Sequence, residues 1–350
     1  MKKNNKKSLI SDYSAERYAQ LIEQMLTTAE KSHWEKSWIP DYTGVPCRNI
    51  DRPAPYEGVN AGLLDFAVAI NGYKTPFFLT GDKARDLGLS IKKVENPTTH
   101  KMEKDMAYPV WKWIIRKVLD GKRITDKEYD ELDEEEKEKV KSYWALRIYF
   151  VYNIDQTSME EDLPKTYAKF LNLAKPENAP KPKADAKDEA LDYVLNTKGA
   201  WHCPIHHDGG NSAYFSPATG DIHLPKVTQF KYMAGGGYYG TALHEMTHST
   251  VMLKNMKRDY AARGFFGNED YALEELVAEL TAAFVCHDRG IGKKIDPSHI
   301  AYVQGWKRAI KHHDIIATIL DDIMRCVSYE VNHLRKVDVL LANEPTALAA

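Results

Sequence analysis

The pentapeptide His244-Glu-Met-Thr-His248, set in a run with helical apolar spacing, constrains the fold more than any other feature of the sequence. Residues i and i+4 of an α-helix lie above one another, so His244 and His248 can offer two imidazole nitrogens to one metal ion. Glu245 adjoins them, where its carboxylate can take a proton from water. The chain must therefore fold so that this helix meets a further ligand.

A helix that carries two histidines by chance is the competing interpretation of this run. The run is mostly apolar, with Ala242, Leu243, Met246, Val251 and Leu253 around the polar residues. Such a helix is buried, and buried titratable groups need partners. A bound metal explains the two histidines and the glutamate better than a place on the surface does.

A second helix, predicted over residues 269–286, supplies candidates for the third ligand of a catalytic zinc. Glu275 and Glu279 are four residues apart and share a face that is lined with alanines. We expect Glu275 to be the ligand and Glu279 to orient a ligating histidine. Glu274 is expected to be solvated. The pattern alone leaves the choice between Glu275 and Glu279 open, and ordinary surface acids are the alternative for all three.

Five segments of the C-terminal part occur in a specific order and spacing: HHDGGNSAYFSP (206–217), DIHLP (221–225), YYGTALHEMTHS (238–249), YALEELVAE (271–279) and YVQGW (302–306). On these segments, residues from about 199 to 335 resemble the metallopeptidase half of ArdC-type antirestriction proteins. The resemblance implies a zincin-like fold in which the HExxH helix and a glutamate supply the metal ligands.

The N-terminal part is similar to the single-stranded-DNA-binding domain of the same family, although the match is looser. It is carried by WEKSW (34–38), YEGVN (56–60), GYKTP (72–76) and YNIDQ (152–156). The resemblance implies a bacterial protein of a mobile element or phage that binds single-stranded DNA in the cytoplasm and protects incoming DNA from restriction.

Aromatic and basic residues are mixed in the N-terminal part, as in proteins that stack bases on rings and hold phosphates with Lys and Arg. The candidate DNA contacts are Trp34, Lys36, Trp38, Arg48, Arg52, Tyr56 and Lys74. Alternating Trp111, Lys112 and Trp113 in a predicted strand add to the mixture. The competing interpretation places most of these aromatic rings in the core.

Zinc is the expected cofactor, with Mn²⁺ and Co²⁺ as alternatives, and peptide-bond hydrolysis is the expected reaction. Glu245 is the expected general base. The candidates for stabilising an oxyanion are Tyr214, Tyr238, Tyr239, His206 and His207, each of which can instead be a structural residue. The expected partners are single-stranded DNA and a protein or peptide substrate, with no membrane. His333 is expected to be a solvated helix residue.

The predicted fold class is α+β with two domains: residues 1–174 for DNA and residues 189–335 for the zincin-like unit. Strands are predicted at 107–116 and 143–153, a hairpin at 213–224 and a helix near 298–310. A Pro-rich and charged linker is predicted at 175–188, and a tail at 336–350. Overall charge is near neutral, with 48 Lys and Arg against 50 Asp and Glu. An acidic helical insertion at about 120–140 holds 10 acidic and 5 basic residues.

The compartment is expected to be the cytoplasm. The four cysteines are scattered, the basic start of the chain precedes no secretory signal, and no apolar run is long enough for a membrane span.

Three functions are compatible with the metal-site motif and the candidate DNA contacts. The first is an antirestriction protein with both single-stranded-DNA binding and peptidase activity. The second is a protein that only coats DNA and uses the metal for structure. The third is a DNA-dependent protease that acts on DNA-bound proteins.

Overall fold

The computed structural model describes residues 12–31, 45–95, 100–178, 187–208, 210–230, 237–263, 269–291, 306 and 313–343. Within these ranges helices and strands are mixed, which confirms the predicted α+β class. The predicted DNA contacts Trp34, Lys36 and Trp38 lie outside the described residues. So does most of a helix predicted near 298–310, of which only Trp306 is described.

A five-stranded sheet with strand order β1-β2-β7-β5-β6 organises the N-terminal region. The short β1 is parallel to β2, and all other pairs are antiparallel. Strands β3 and β4 form a separate two-stranded antiparallel sheet. The strands are β1 (Arg48–Asn49), β2 (Phe77–Thr80), β3 (Lys93–Glu95), β4 (Met102–Lys104), β5 (Tyr108–Leu119), β6 (Lys122–Ile124) and β7 (Lys141–Asn153).

The longest pairing in the molecule joins β5 to β7, from Tyr108 opposite Val151 to Val118 opposite Lys141. Both strands are rich in aromatic and β-branched residues, which favour extended backbone. The end near Tyr108 is buried, whereas the end near Lys141 is exposed. The hairpin therefore projects from the body of the protein, and the predicted strands 107–116 and 143–153 are confirmed.

The unpaired edge of β5 is closed by side chains of two helices. The Asn60 amide donates to the carbonyl of Trp111 at 2.7 Å and accepts from the amide of Trp111 at 3.1 Å. The Tyr18 hydroxyl donates to the carbonyl of Pro109 at 2.7 Å. Since exposed strand edges invite pairing with other chains, these contacts protect the base of the hairpin.

The N-terminal helices are placed by caps that can be read from the sequence. The second helix ends at Gly72, which adopts φ 63°, a left-handed conformation that favours glycine. Thr125 with Glu128, and Asp133 with Glu136, form capping boxes in the exposed acidic insertion. The helices are α1 (Asp12–Lys31), α2 (Gly58–Asn71), α3 (Gly81–Asp86), α4 (Asp126–Asp130), α5 (Glu134–Lys139), α6 (Met159–Asp162) and α7 (Pro164–Leu173).

The C-terminal region places a small sheet beside a group of helices. In the sheet, of order β8-β10-β9, the antiparallel pair β9–β10 confirms the hairpin predicted at 213–224. Asp188 caps α8 through the amide of Leu191 at 2.9 Å. The elements are α8 (Glu189–Asn196), β8 (Ile205–His206), β9 (Tyr214–Ser216), β10 (Asp221–His223), α9 (Tyr238–Ser249), α10 (Asp259–Arg263), α11 (Glu269–Asp288) and α12 (His313–Asn343).

One apolar core extends through both regions. Helix α11 packs against α9 and α12 of its own region and also against α2, and α12 packs against α1. Polar contacts cross the same boundary: His287 bonds Asp65 at 2.8 Å, and the amide of Gly58 donates to Asp288 at 2.9 Å. The two regions are therefore joined by buried packing.

Helix α12 continues to Asn343, so residues 336–343 of the predicted tail are helical. On this helix His333 is half-buried and bonds the carbonyl of Ala200 at 2.7 Å, which corrects the expectation that it is solvated. No helix in the described ranges combines the length and apolar character needed to cross a membrane.

Candidate metal centre

Helices α9 and α11 bring three candidate ligands to one point. His244 Nε2 lies 3.0 Å from His248 Nε2, and Glu275 carboxylate oxygens lie 3.4 and 3.5 Å from these two nitrogens. His244 and Glu275 are buried, and His248 is half-buried. The i, i+4 spacing on α9 and the close packing of α11 against it produce this arrangement.

The spacing of these atoms fits one divalent metal ion. Nitrogen and oxygen ligands at about 2.0–2.2 Å from a tetrahedral ion lie about 3.3–3.5 Å from one another. The observed separations of 3.0, 3.4 and 3.5 Å are close to that range. Two imidazoles and one carboxylate form a common ligand set for catalytic zinc, and manganese accepts the same atoms.

Glu274 is buried at 6% exposure, which corrects the expectation that it is solvated. Its Oε1 lies 3.0 Å from His248 Nδ1, and the Arg258 guanidinium donates to both of its oxygens at 2.7 and 2.5 Å. When His248 donates from Nδ1 to Glu274, its Nε2 lone pair is free to face Glu275 and His244. The contact thus selects the tautomer that a metal ligand requires.

Arg258 is itself held by the helix that carries the histidines. Its guanidinium donates to the carbonyl of Thr247 at 3.2 Å and to the hydroxyl of Thr250 at 3.0 Å. Burial raises the pKa of Glu274, but the hydrogen bond and charge of Arg258, with those of His248, lower it to about 2. The carboxylate is therefore ionised when it orients His248.

The centre holds an excess of buried negative charge. Four carboxylates, Glu245, Glu274, Glu275 and Glu279, are at most 8% exposed, and Arg258 is the only buried Arg or Lys in the described part of the chain. Burial lowers the pKa of His248, but its hydrogen bond to Glu274 and the neighbouring carboxylates raise it to about 9. Buried charges need compensation, so this cluster favours a cation.

Glu279 lies behind the other histidine. Its Oε1 is 3.8 Å from His244 Nδ1, and its side chain is fully buried. Each histidine therefore turns one nitrogen toward the cluster and the other toward a glutamate. In this arrangement Glu275 contacts both Nε2 atoms and Glu279 does not, which favours Glu275 as the ligand.

Glu245 is fixed at the edge of the small sheet. The amide of Phe215, in β9, donates to Glu245 Oε2 at 2.9 Å. The carboxylate is 8% exposed and follows His244 directly in α9. The strand thus holds a potential base beside the candidate ligands. Because the contact uses a backbone amide, no residue type in the sequence indicates it.

The oxyanion candidates occupy different environments. Tyr238 and Tyr239 are buried, and their hydroxyls lie 2.7 Å from His207 Nε2 and from Asp192 Oδ1. These contacts hold α9 against its neighbours and direct both hydroxyls to protein partners. Tyr214, in contrast, is 47% exposed in β9 and stacks on His223, with 4.7 Å between ring centroids.

His206 is on the exposed side of the small sheet, 3.3 Å from Asp221 and beside His223. The register of the sheet places His206, His223 and Tyr214 in one row across it. Of the oxyanion candidates, Tyr214 and His206 are thus exposed, while Tyr238 and Tyr239 are part of the packing.

The described DNA-contact candidates have mixed surroundings. The Tyr56 ring packs edge-on against Phe78 in the core, and Arg48 donates to nearby backbone carbonyls. Lys74 is exposed, but its ammonium is bonded to Glu160 at 2.9 Å. Arg52 is exposed. Arg48, Tyr56 and Lys74 therefore have structural contacts in addition to any role with DNA.

Sequence reasoning missed Glu274, Arg258 and the amide of Phe215. A usable signal existed for Glu274, because apolar residues surround α11 on every side and such a helix buries its acids whichever way they point. Arg258 lies in a loop ten residues beyond His248 and has no local pattern that would indicate its position.

Two family models match the chain. Residues 12–152 match the N-terminal domain of anti-restriction factor ArdC, and residues 189–318 match a zincin-like metallopeptidase. The fold resembles crystal structures of the antirestriction protein ArdC from plasmid R388, metal-free and Mn(II)-bound, with TM-scores of 0.52 and 0.53. Each is 24% identical and covers 91% of this chain and 97% of the other.

Similar sequences include two Escherichia coli proteins named DNA primase TraC, 29% and 30% identical over 83% of this chain. The chain matches 24% and 18% of their lengths, so it corresponds to a small part of each. The uncharacterized protein y4eC of Sinorhizobium fredii is 24% identical over 84% of both chains. With the order of motifs, the two family models confirm the family resemblance: in this chain an ArdC-type N-terminal domain precedes a zincin-like metallopeptidase domain.

Proposed function

We propose that the protein is a metal-dependent peptidase whose N-terminal domain binds single-stranded DNA, and that it serves antirestriction in the cytoplasm of a bacterial host. The observation that supports the peptidase most strongly is the cluster of His244, His248 and Glu275, whose ligand atoms lie close together beside Glu245. The zincin-like match supports the same reaction class.

His244, His248 and Glu275 would hold the ion, with Zn²⁺ as the proposed cofactor and Mn²⁺ or Co²⁺ as alternatives. When bound, such an ion lowers the pKa of a water and polarises a carbonyl. Glu245 would take a proton from the attacking water and pass it to the departing amine of the peptide. The amide of Phe215 holds Glu245 in place, so the carboxylate needs no reorganisation to act.

Tyr214 is proposed to stabilise the developing oxyanion, because it is the exposed tyrosine on the strand that contacts Glu245. His206 is the second candidate, in the same row of the sheet and two strands away. Removal of one oxyanion donor typically lowers kcat by about 100- to 1,000-fold. Tyr214→Phe, which keeps the stacked ring, tests the hydroxyl alone.

The test of the proposal separates ligand, base and DNA binding. Elemental analysis of wild type is expected to give about one metal ion per chain, retained in Glu245→Gln and lost in His244→Ala. Peptidase activity on an unfolded protein substrate should vanish in both variants, and binding of single-stranded DNA should persist in both. Activity that survives in Glu245→Gln would overturn the catalytic assignment.

An antirestriction assay then distinguishes peptidase action from coating of DNA. If the peptidase serves antirestriction, Glu245→Gln fails to protect incoming DNA although it binds single strands normally. Full protection by this variant would show that occupancy of DNA is sufficient. Stimulation of cleavage by single-stranded DNA would instead support the DNA-dependent protease.

A further inference from the structure

Positive charge is segregated in this near-neutral protein. Strands β5, β6 and β7 hold seven Lys and Arg residues and no Asp or Glu, whereas the chain as a whole has a net charge of −2. These strands form the projecting hairpin, so the charge lies on a part of the sheet that reaches beyond the core. Such segregation marks a surface for a polyanion.

Strand register places five of these residues on one side of the hairpin. Side chains of directly opposed residues point to the same face, and the face alternates along each strand. Lys112 is opposite Arg147, Arg116 is opposite Tyr143, and Val118 is opposite both Lys141 and Arg123. The basic face therefore consists of Lys112, Arg116, Arg123, Lys141 and Arg147, with Tyr143 and Tyr149 among them.

The basic side chains are available for a ligand. Lys112, Arg123, Lys141 and Arg147 are exposed, and none of the five forms an ion pair with a carboxylate in the described part of the chain. Arg116, on the same face, is half-buried.

The opposite face of the hairpin has another character. It carries Ile115 opposite Trp144, and the ammonium of Lys117, which lies 3.8 Å from the Tyr129 ring and 3.0 Å from Asp126. Through these contacts the acidic insertion is anchored on the side away from the basic face. The insertion therefore leaves the basic face free of carboxylates.

An exposed aromatic ring within the basic face indicates single-stranded rather than duplex nucleic acid. Tyr143 is 44% exposed and lies opposite Arg116, while Tyr149 is half-buried beneath the Arg147 guanidinium at 4.9 Å. Binders of single strands combine a basic track for phosphates with rings on which unpaired bases stack. The face is about 20 Å long, since antiparallel strands rise about 3.4 Å per residue.

We propose that the basic face of the β5–β7 hairpin is the surface that binds single-stranded DNA. The proposal rests on the proposed DNA-binding function and gives it a location different from the tryptophan-rich segment at 34–38. Lys112, Arg116 and Arg147 hold phosphates, and Tyr143 stacks on a base. DNA bound there lies on β5 and β7, away from the metal centre, and α2 holds the base of β5 through Asn60 and Asn71.

The experiment uses the full chain and a fluorescein-labelled oligothymidylate of about 16 nucleotides, followed by fluorescence anisotropy. The triple variant Lys112→Ser, Arg116→Ser, Arg147→Ser removes three charges from the basic face. Its control, Lys93→Ser, Lys104→Ser, Lys122→Ser, removes three exposed charges from β3, β4 and the other side of β6. Metal content verifies that each variant is folded.

The face variant is expected to bind at least about tenfold more weakly at about 0.15 M salt. Its slope of log K against log salt should fall by about 2, or about 0.7 for each lost phosphate contact. Tyr143→Ala should weaken binding by about tenfold, while Tyr143→Phe, which keeps the ring, should bind like wild type. Because Tyr143 is exposed, these single variants test the proposal even if the triple variant fails to fold.

Several outcomes overturn the proposal. If wild type binds the oligonucleotide and the face variant binds equally well with an unchanged slope, the location is wrong while the DNA-binding function stands. Equal losses in the face and control variants would show a general effect of charge. Equal affinity for a duplex of the same length would remove the role of base stacking, and absence of binding by wild type would overturn the DNA-binding function itself.

Discussion

At the scale of single residues, the glutamates behind the two histidines, Glu274 and Glu279, affect the metal affinity of the candidate centre. His248 donates to Glu274, and Glu274 is held by Arg258 from a loop that follows α9. A carboxylate behind a ligating imidazole raises its basicity and fixes its orientation. The affinity for metal therefore depends on residues that do not touch the ion.

Glu274→Gln is expected to weaken metal binding by about 10- to 100-fold, because a neutral amide is a poorer acceptor for His248 and leaves Arg258 without a counter-charge. Isothermal titration of Zn²⁺ into chelator-treated protein measures the change. Glu275→Gln is the matched comparison on the same helix, and it should abolish the site. Unchanged affinity in Glu274→Gln would show that the contact with His248 is structural only.

Glu330 is a second buried acid whose protonation is linked to stability. It is fully buried on α12, and its Oε1 lies 2.9 Å from Thr247 Oγ1, which also lies 2.8 Å from the carbonyl of Leu243. A hydroxyl has one proton, so a neutral Glu330 that donates its own proton satisfies both contacts. Burial raises the pKa of Glu330 from 4.5 to about 8.

Because the folded state binds this proton more tightly than the unfolded state, wild type should lose stability as pH rises from about 5 to 8. The contribution of one group is at most about 1.4 kcal/mol per pH unit. Glu330→Gln carries no such proton, so its stability relative to wild type should increase with pH. Urea unfolding of both proteins at several pH values tests this, and parallel pH profiles would contradict it.

At the scale of elements, the projecting β5–β7 hairpin depends on its clamped edge. Asn60 supplies both a donor and an acceptor to the backbone of Trp111. Asn60→Ala should destabilise the protein by about 1–3 kcal/mol, since two backbone groups lose their partners. Asn60→Asp, which keeps the acceptor and loses the donor, should also be destabilised, and denaturant unfolding measures both.

How far each element could be predicted depends on whether its signal is local. Helix α2 was predictable from its apolar run and the Asn71-Gly72 stop, and the metal helix from the i, i+4 histidines. The position of Glu274 was not, because the partner that buries it, Arg258, comes from a loop. In the same way, the alternation of side chains along a strand predicts that Trp111 and Trp113 share one face of β5. Only the pairing of β5 with β7 shows that Lys112 and Arg147 lie together on the opposite face.

At the scale of the whole molecule, α11 joins the candidate metal centre to the N-terminal region. Glu274, Glu275 and Glu279 lie in the N-terminal and central turns of this helix, and His287 and Asp288 at its end contact α2. The apolar core is continuous across the same boundary. Two regions that share a core are expected to unfold in one cooperative step rather than independently.

Metal binding should therefore stabilise the N-terminal sheet as well as the helices that hold the ion. A ligand that binds only the folded state adds about 2.7 kcal/mol when its free concentration is 100 times Kd. If the regions unfold together, amides of β2, β5 and β7 gain protection from hydrogen exchange when Zn²⁺ is added to chelator-treated protein. His244→Ala, which lacks a ligand, should show no gain. Protection confined to residues 189–343 would mean that the shared core does not couple the two regions, and that they open separately.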